Sequence, residues 1–184
     1  MGKARATAVV VFTMTLMAIS PWVQAQSWAE TVESGAQNAT TLRFYFHDTV
    51  SGNSASAVRV AQASDSSKYL TQFGTLLMAD DPLTEGPDPA SKLVGRAQGL
   101  YGSACKEELG LIMALSYSFT DGIYKGSSLS ILGRNSAMRP VREMPVVGGT
   151  GLFRMARGYA RVRTYWIDLT TGDAIVGYNI TVLH

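Results

Sequence analysis

The residue that most invites chemistry is Asp48, at the end of Phe44-Tyr45-Phe46-His47-Asp48. Strand alternation puts Leu42, Phe44, Phe46 and Asp48 on one face, and Arg43, Tyr45, His47 and Thr49 on the other. A carboxyl that closes an otherwise apolar row is either desolvated, with its pKa raised, or held by a donor. In the first state it can deliver a proton near neutral pH; the plainer reading is a strand-end Asp capping a turn. A second feature is Val146-Val147-Gly148-Gly149-Thr150-Gly151. It lacks the spacing of both G-x-G-x-x-G and G-x-x-x-x-G-K-S/T, so it reads as a tight turn or bulge where backbone meets backbone. The third feature is arginine density: Arg134, Arg139, Arg142, Arg154, Arg157, Arg161 and Arg163 face only Glu143 between positions 134 and 163. Its plain reading is a solvated or interface-facing stripe that pairs with the acidic segment Asp80, Asp81, Glu85 and Asp88. Arg157, Arg161 and Arg163 are expected to share a face with Phe153, Met155, Tyr159 and Tyr165, a mixture typical of subunit contacts.

Other catalytic templates fail. The single cysteine, Cys105, excludes an intrachain disulfide framework and reads as a buried or loop thiol. With only His47 and His184 there is no material for a Ser-His-Asp set or a multi-His metal site, and G-x-S-x-G is absent. The Asp80-Asp81-Pro82 and Asp88-Pro89 turn lacks the ligand spacing of a calcium loop. The expectation is a domain that works without metal or cofactor.

The elements that must position Asp48 are strands. Short β-rich runs, separated by Gly, Pro, Asn, Asp and Ser, cover 42–50, 58–63, 73–78, 97–101, 109–119, 127–132, 153–167 and 174–183. Nothing in the mature part offers a long amphipathic helix. The pattern predicts an all-β domain, either a sandwich or an up-and-down barrel, and composition does not choose between them.

The chain begins with a targeting segment. Lys3 and Arg5 precede an apolar run of 14 residues, Ala6 to Ile19, and Pro21 and Val23-Gln24-Ala25 follow, so residues 1–25 read as a signal peptide. Residues 26–41 read as a flexible leader, and 42–184 as the domain. Loss of Lys3 and Arg5 leaves 14 basic residues against 14 acidic ones, which removes the electrostatic case for nucleic acid or an anionic membrane. On a secreted chain the sequons at Asn38 and Asn179 become glycosylation candidates.

Phe44-Tyr45-Phe46-His47-Asp48, Gly95-Arg96-Ala97-Gln98-Gly99-Leu100-Tyr101, and Val146 to Gly151 with Met155-Ala156-Arg157-Gly158 together resemble the plant dirigent proteins, in the family's order, from about Leu42 to Leu183. The resemblance implies an eight-stranded antiparallel up-and-down β-barrel of the allene oxide cyclase type. It implies a homo-oligomer, a trimer or a dimer, secreted to the apoplast. Such proteins steer the coupling of phenoxy radicals of monolignols such as coniferyl alcohol into optically active lignans, the radicals coming from a separate laccase or peroxidase. Related members act on quinone methides and close pterocarpan rings.

By the same resemblance Asp48 is the acid or proton shuttle, Tyr101 a hydroxyl donor and aromatic wall, and Arg142 a group that polarises a phenolic or carbonyl oxygen. Phe44, Phe46 and Asn135 are the expected substrate-binding positions. Where lignan-forming members carry Gly-Ala-Asp, this chain has Gly133-Arg134-Asn135, and an amide cannot donate a proton as an acid does. That departure looks more like the branch containing pterocarpan synthases. On the barrel pattern with Asp48, Tyr101 and Arg142, stereo-directed radical coupling is the leading expectation. An oxidant-independent cyclase or dehydratase of pterocarpan-synthase type is the alternative, and a cell-wall protein organising lignin or defence material is the third.

Overall fold

The computed structural model describes residues 37–184. The signal-peptide reading of 1–25 and most of the leader fall outside the described residues. Nine strands follow: β1 (Ala39–Asp48), β2 (Ala57–Gln62), β3 (Thr75–Thr84), β4 (Leu93–Ser103), β5 (Gly110–Phe119), β6 (Ser128–Ser136), β7 (Arg142–Thr150), β8 (Arg157–Ile167) and β9 (Ala174–Leu183). They pair antiparallel in the order β1-β9-β8-β7-β6-β5-β4-β3-β2, and β1 also pairs with β3. That last contact, Tyr45 opposite Thr84 and Phe46 opposite Leu83, closes an eight-stranded barrel and removes its open edges. The up-and-down barrel is the alternative that the chain adopts.

The ring is not composed of the eight runs expected. β2 is a continuation of β1: both lie antiparallel along β3, and residues 49–56 loop out between them. The missing member is β7, read from sequence as a turn because Pro145, Gly148 and Gly149 dilute its pattern. β3 is longer than expected and carries Asp80, Asp81 and Pro82 inside a strand. β1 starts at Ala39, within the stretch assigned to the leader.

Alternation explains the interior. Met113, Leu115, Tyr117 and Phe119 of β5 point inward, and so do Ala160 and Val162 of β8, whereas Arg157, Tyr159, Arg161 and Arg163 stay outside. Phe153 departs from the expected outer stripe: it is fully buried in a 3-10 turn, stacked on Tyr124 at 5.1 Å. Phe44, Tyr117 and Tyr178 pack together in an aromatic layer with centroids 5.4–6.0 Å apart. Such pairs contribute about 0.5–1.5 kcal/mol each beyond their area burial.

The glycine-rich run is the end of β7, and the bulge reading holds. Ser130 pairs with Gly148 and Ile131 with Val146, so Val147 is the extra residue, half-exposed on the outer surface. The two glycines differ. A Cβ on Gly149 would lie 2.5 Å from the Phe153 carbonyl oxygen and 2.6 Å from that of Ser128, whereas one on Gly148 meets nothing within 4 Å. Gly149→Ala is therefore expected to destabilise the domain by about 1–3 kcal/mol and Gly148→Ala by less than about 0.5 kcal/mol, read as urea midpoints.

Candidate functional site

The barrel holds a cavity of about 860 Å³, lined by residues of all nine strands together with loop residues such as Gly52, Leu70, Leu169 and Gly172. Asp48, Tyr101, Arg142, Asn135 and Phe46 all line it. Phe44 does not; it sits in the aromatic layer described above. Five of the six expected positions thus converge on one space.

Asp48 is half-buried at the cavity wall, and the Tyr101 hydroxyl donates to its Oδ1 at 3.0 Å. Burial raises the Asp48 pKa above the ordinary carboxylate range, and the nearby Asp173 pushes the same way; the Tyr101 bond only partly offsets them. Tyr101 is itself buried beside that carboxyl, so its own pKa lies far above the ordinary phenol value and it remains a donor. Both readings of Asp48 from sequence, desolvated or held by a donor, therefore describe it at once.

Arg142 is buried on β7, separated from β1 in the barrel by β8 and β9. Its Nε donates to Asn135 Oδ1 at 3.1 Å, and one terminal nitrogen donates to Thr164 Oγ1 at 2.9 Å and to the Arg139 carbonyl at 3.2 Å. These acceptors are neutral, and burial lowers the Arg142 pKa, although a guanidinium in a protein stays protonated. A close Asp48–Arg142 pair would have depressed the carboxyl's pKa. The two instead form separate poles, an acid with a phenol on one wall and a cation with an amide on another.

The outer arginines do not meet the acidic segment. Of the four salt bridges among the described residues, Arg134 joins Glu108, Arg96 joins Asp80, and Lys92 joins Glu85 and Asp121. The acidic segment is itself divided. Asp80 is exposed on the outer face of β3, whereas Asp81 is fully buried on the inner face. Sequence reasoning missed Asp81; the signal is the alternation of Leu77, Ala79, Asp81 and Leu83, hidden because the expected run stops at Met78 and Asp80-Asp81-Pro82 reads as a turn. Tyr178 and Thr164, which also line the cavity, were missed as well.

His47 points away from the cavity. The Thr84 hydroxyl donates to the Gly86 carbonyl at 2.7 Å, so it must accept from His47 Nε2 at 2.6 Å, and burial lowers the imidazole pKa. Cys105 lies in the partly exposed segment between β4 and β5. Asn38 and Asn179 are both exposed, as acceptors of a glycan must be.

The model of the Dirigent-like protein family matches residues 39–183, the full span of the barrel. The chain belongs to the dirigent family. Dirigent protein 23 of Arabidopsis thaliana is 58% identical over 176 residues, covering 95% of this chain and 94% of the relative. Pterocarpan synthase 1 of Glycine max is 53% identical over 146 residues, covering 79% and 78%. A solved pterocarpan synthase dirigent protein superposes with a TM-score of 0.77 at 52% identity, covering 83% of this chain and 88% of its own. This chain thus shares the architecture of the dirigent barrel.

Two measurements check the electrostatics of this dirigent site. Tyr101→Phe removes the only bond that lowers the Asp48 pKa, so the carboxyl should titrate higher by up to about one unit, seen by carboxyl-resolved NMR. Because the folded pKa of Asp48 is raised, the folded state binds more protons than the unfolded chain between the two values. Its stability contribution is complete below the unfolded pKa of about 4 and is lost as pH rises through the folded one. Asp48→Asn should therefore flatten the decline of stability between mildly acidic and neutral pH, measured as urea midpoints.

Proposed function

We propose that this dirigent protein binds a phenol-derived quinone methide, or the hydroxybenzyl alcohol that gives rise to it, and directs ring closure on one face without an oxidant. The carrying observation is Asp48, a carboxyl with a raised pKa on the cavity wall beside Tyr101. The similarity to pterocarpan synthases and the amide at Asn135 support the same reading.

The chemistry is redox-neutral. Protonated Asp48 donates to the departing benzylic hydroxyl; the C–O bond breaks, water leaves, and a ring hydroxyl passes its proton to solvent, which returns one to the same oxygen on ring closure, producing the quinone methide in between. Hydrogen bonding or protonation at the quinone-methide oxygen then makes the exocyclic carbon more electrophilic. A second phenolic hydroxyl adds there, forming the new C–O bond and returning a proton to the carboxylate. Arg142, with no carboxylate bonded to it, offers its guanidinium to the oxygen that gathers negative charge. Stereochemistry follows from holding one face of the guest toward the nucleophile.

Coupling of two monolignol radicals is the second reading. The observation favouring it is the pair of separated poles, Asp48–Tyr101 and Asn135–Arg142, each suited to one phenolic oxygen. In that case a laccase or peroxidase supplies the radicals. Under either reading the protein is proposed to act as a secreted, glycosylated homo-oligomer in the apoplast. The exposed Tyr159, Tyr165 and Trp166 among the β8 arginines support subunit contact there.

The protein alone with an isoflavanol, and separately coniferyl alcohol with and without laccase, distinguishes the readings by chiral chromatography. Conversion without oxidant is expected, with Asp48→Asn slower by about 10²- to 10⁴-fold. Racemic or absent product in every tube would remove both.

A further inference from the structure

The buried carboxyl of Asp81 has no part in the proposed reaction. It is fully buried on the inner face of β3, between Ala79 and Leu83. Tyr45 lies opposite Thr84 and Phe46 opposite Leu83, so two further steps of the same antiparallel register bring Asp48 opposite Asp81. Residues directly opposite on one face of a sheet have Cβ atoms about 4.5–5.5 Å apart. The loop that leaves β1 after Asp48 returns to secure its neighbour. The Asp80 N–H donates to the Ser56 carbonyl at 2.8 Å, and the Ser56 hydroxyl donates to Asp81 Oδ1 at 2.5 Å. Asp81 Oδ2 is buried with no hydrogen-bond partner among the described residues.

A buried carboxylate oxygen with nothing to bond is costly, and a second carboxylate on the adjacent strand makes it costlier. A proton on one of the two relieves both penalties. The surrounding groups do not remove the need for it. Tyr101 of β4 bonds Asp48, and Tyr117 of β5 donates to Tyr178 of β9 at 2.9 Å. Asp173 accepts from the Val50 and Ser51 backbone and from the Ser51 hydroxyl, and adds negative charge. Arg96 is turned outward onto Asp80, Arg142 is held by neutral acceptors, and His47 lies on the opposite face bonded to Thr84.

We propose that Asp48 and Asp81 form a carboxyl pair sharing one proton, in which Asp48 exchanges that proton with the guest and Asp81 is the positioning residue that keeps it available. Burial raises both acids, and the Asp48 charge adds to the rise at Asp81, which is the more strongly raised. With one proton between them, the pair donates to the leaving hydroxyl as an acid and takes the proton back from the ring-closing phenol as a base. It ends each turnover as it began. This extends the reading of Asp48 as the proton-transfer group, and it restores on β3 the second carboxyl that Asn135 does not supply.

The test needs no substrate in its first arm. The folded protein is titrated while the carboxyl carbons of Asp48 and Asp81 are followed by NMR, in the wild type, in Asp48→Asn and in Asp81→Asn, which keeps the side-chain shape and the acceptor for Ser56. The pair requires two steps in the wild type, the upper one centred on Asp81; in Asp81→Asn that upper step disappears from the Asp48 carbon, and in Asp48→Asn the Asp81 step falls by about one pH unit or more. An Asp81 titration unmoved by Asp48→Asn overturns the pair. Should either variant fail to fold, Ser56→Ala serves instead. Loss of the bond that lowers Asp81 must move the upper step upward, and an unmoved upper step overturns the pair equally.

The second arm measures isoflavanol conversion against pH. A bell-shaped wild-type profile is expected, with the alkaline limb of Asp81→Asn shifted down in step with Asp48, and an unshifted limb counts against the positioning role. If the titrations behave as required while no substrate is converted, the pair stands and the proposed function falls.

Discussion

Removal of water from a carboxyl group governs the properties of this site. Asp48 would be an ordinary anion on an open sheet; inside a closed ring, with aromatic side chains beneath it, its charged form loses hydration that a single Tyr101 hydroxyl does not replace. Closure rests on a short seam, two residue pairs between β1 and β3. The seam lies beside the acid it creates: the strand that ends at Asp48 is the one that seals the barrel.

The break in that strand is equally consequential. Had β1 run on into β2, the wall would be continuous; instead residues 49–56 loop out and return through the Ser56 and Ala57 N–H groups to the Thr49 carbonyl. Asp173 anchors the loop from the β8–β9 connection through three hydrogen bonds to Val50 and Ser51. Those same bonds hold the Asp173 pKa below its usual value, so it stays charged and keeps pressing the Asp48 pKa upward. One aspartate thus fixes the loop and tunes the acid.

The inner cation follows a different logic from the outer ones. Arg157, Arg161 and Arg163 spend their charge toward solvent, whereas Arg142 is buried and bonded only to an amide, a hydroxyl and a carbonyl. Neutral acceptors hold a guanidinium in place without cancelling its charge, leaving it able to stabilise an oxygen that becomes negative. The amide at Asn135 contributes to this. A carboxylate there would pair with Arg142 and neutralise it.

Residue type and order already carry what is local in this protein. They contain the strand content, the inward row of Phe44, Phe46 and Asp48 and, through motif order, the family and its barrel. Period-2 alternation is a property of one strand and survives without its partners. The tertiary structure decided what depends on registration between strands. It made β7 a strand despite Pro145 and two glycines, because its neighbours β6 and β8 supply the pairing that propensity does not. It placed Asp81 opposite Asp48 and sent Arg142 to Asn135 rather than to an acid. Such relations join positions far apart along the chain, and only the closed ring brings them within a few ångströms.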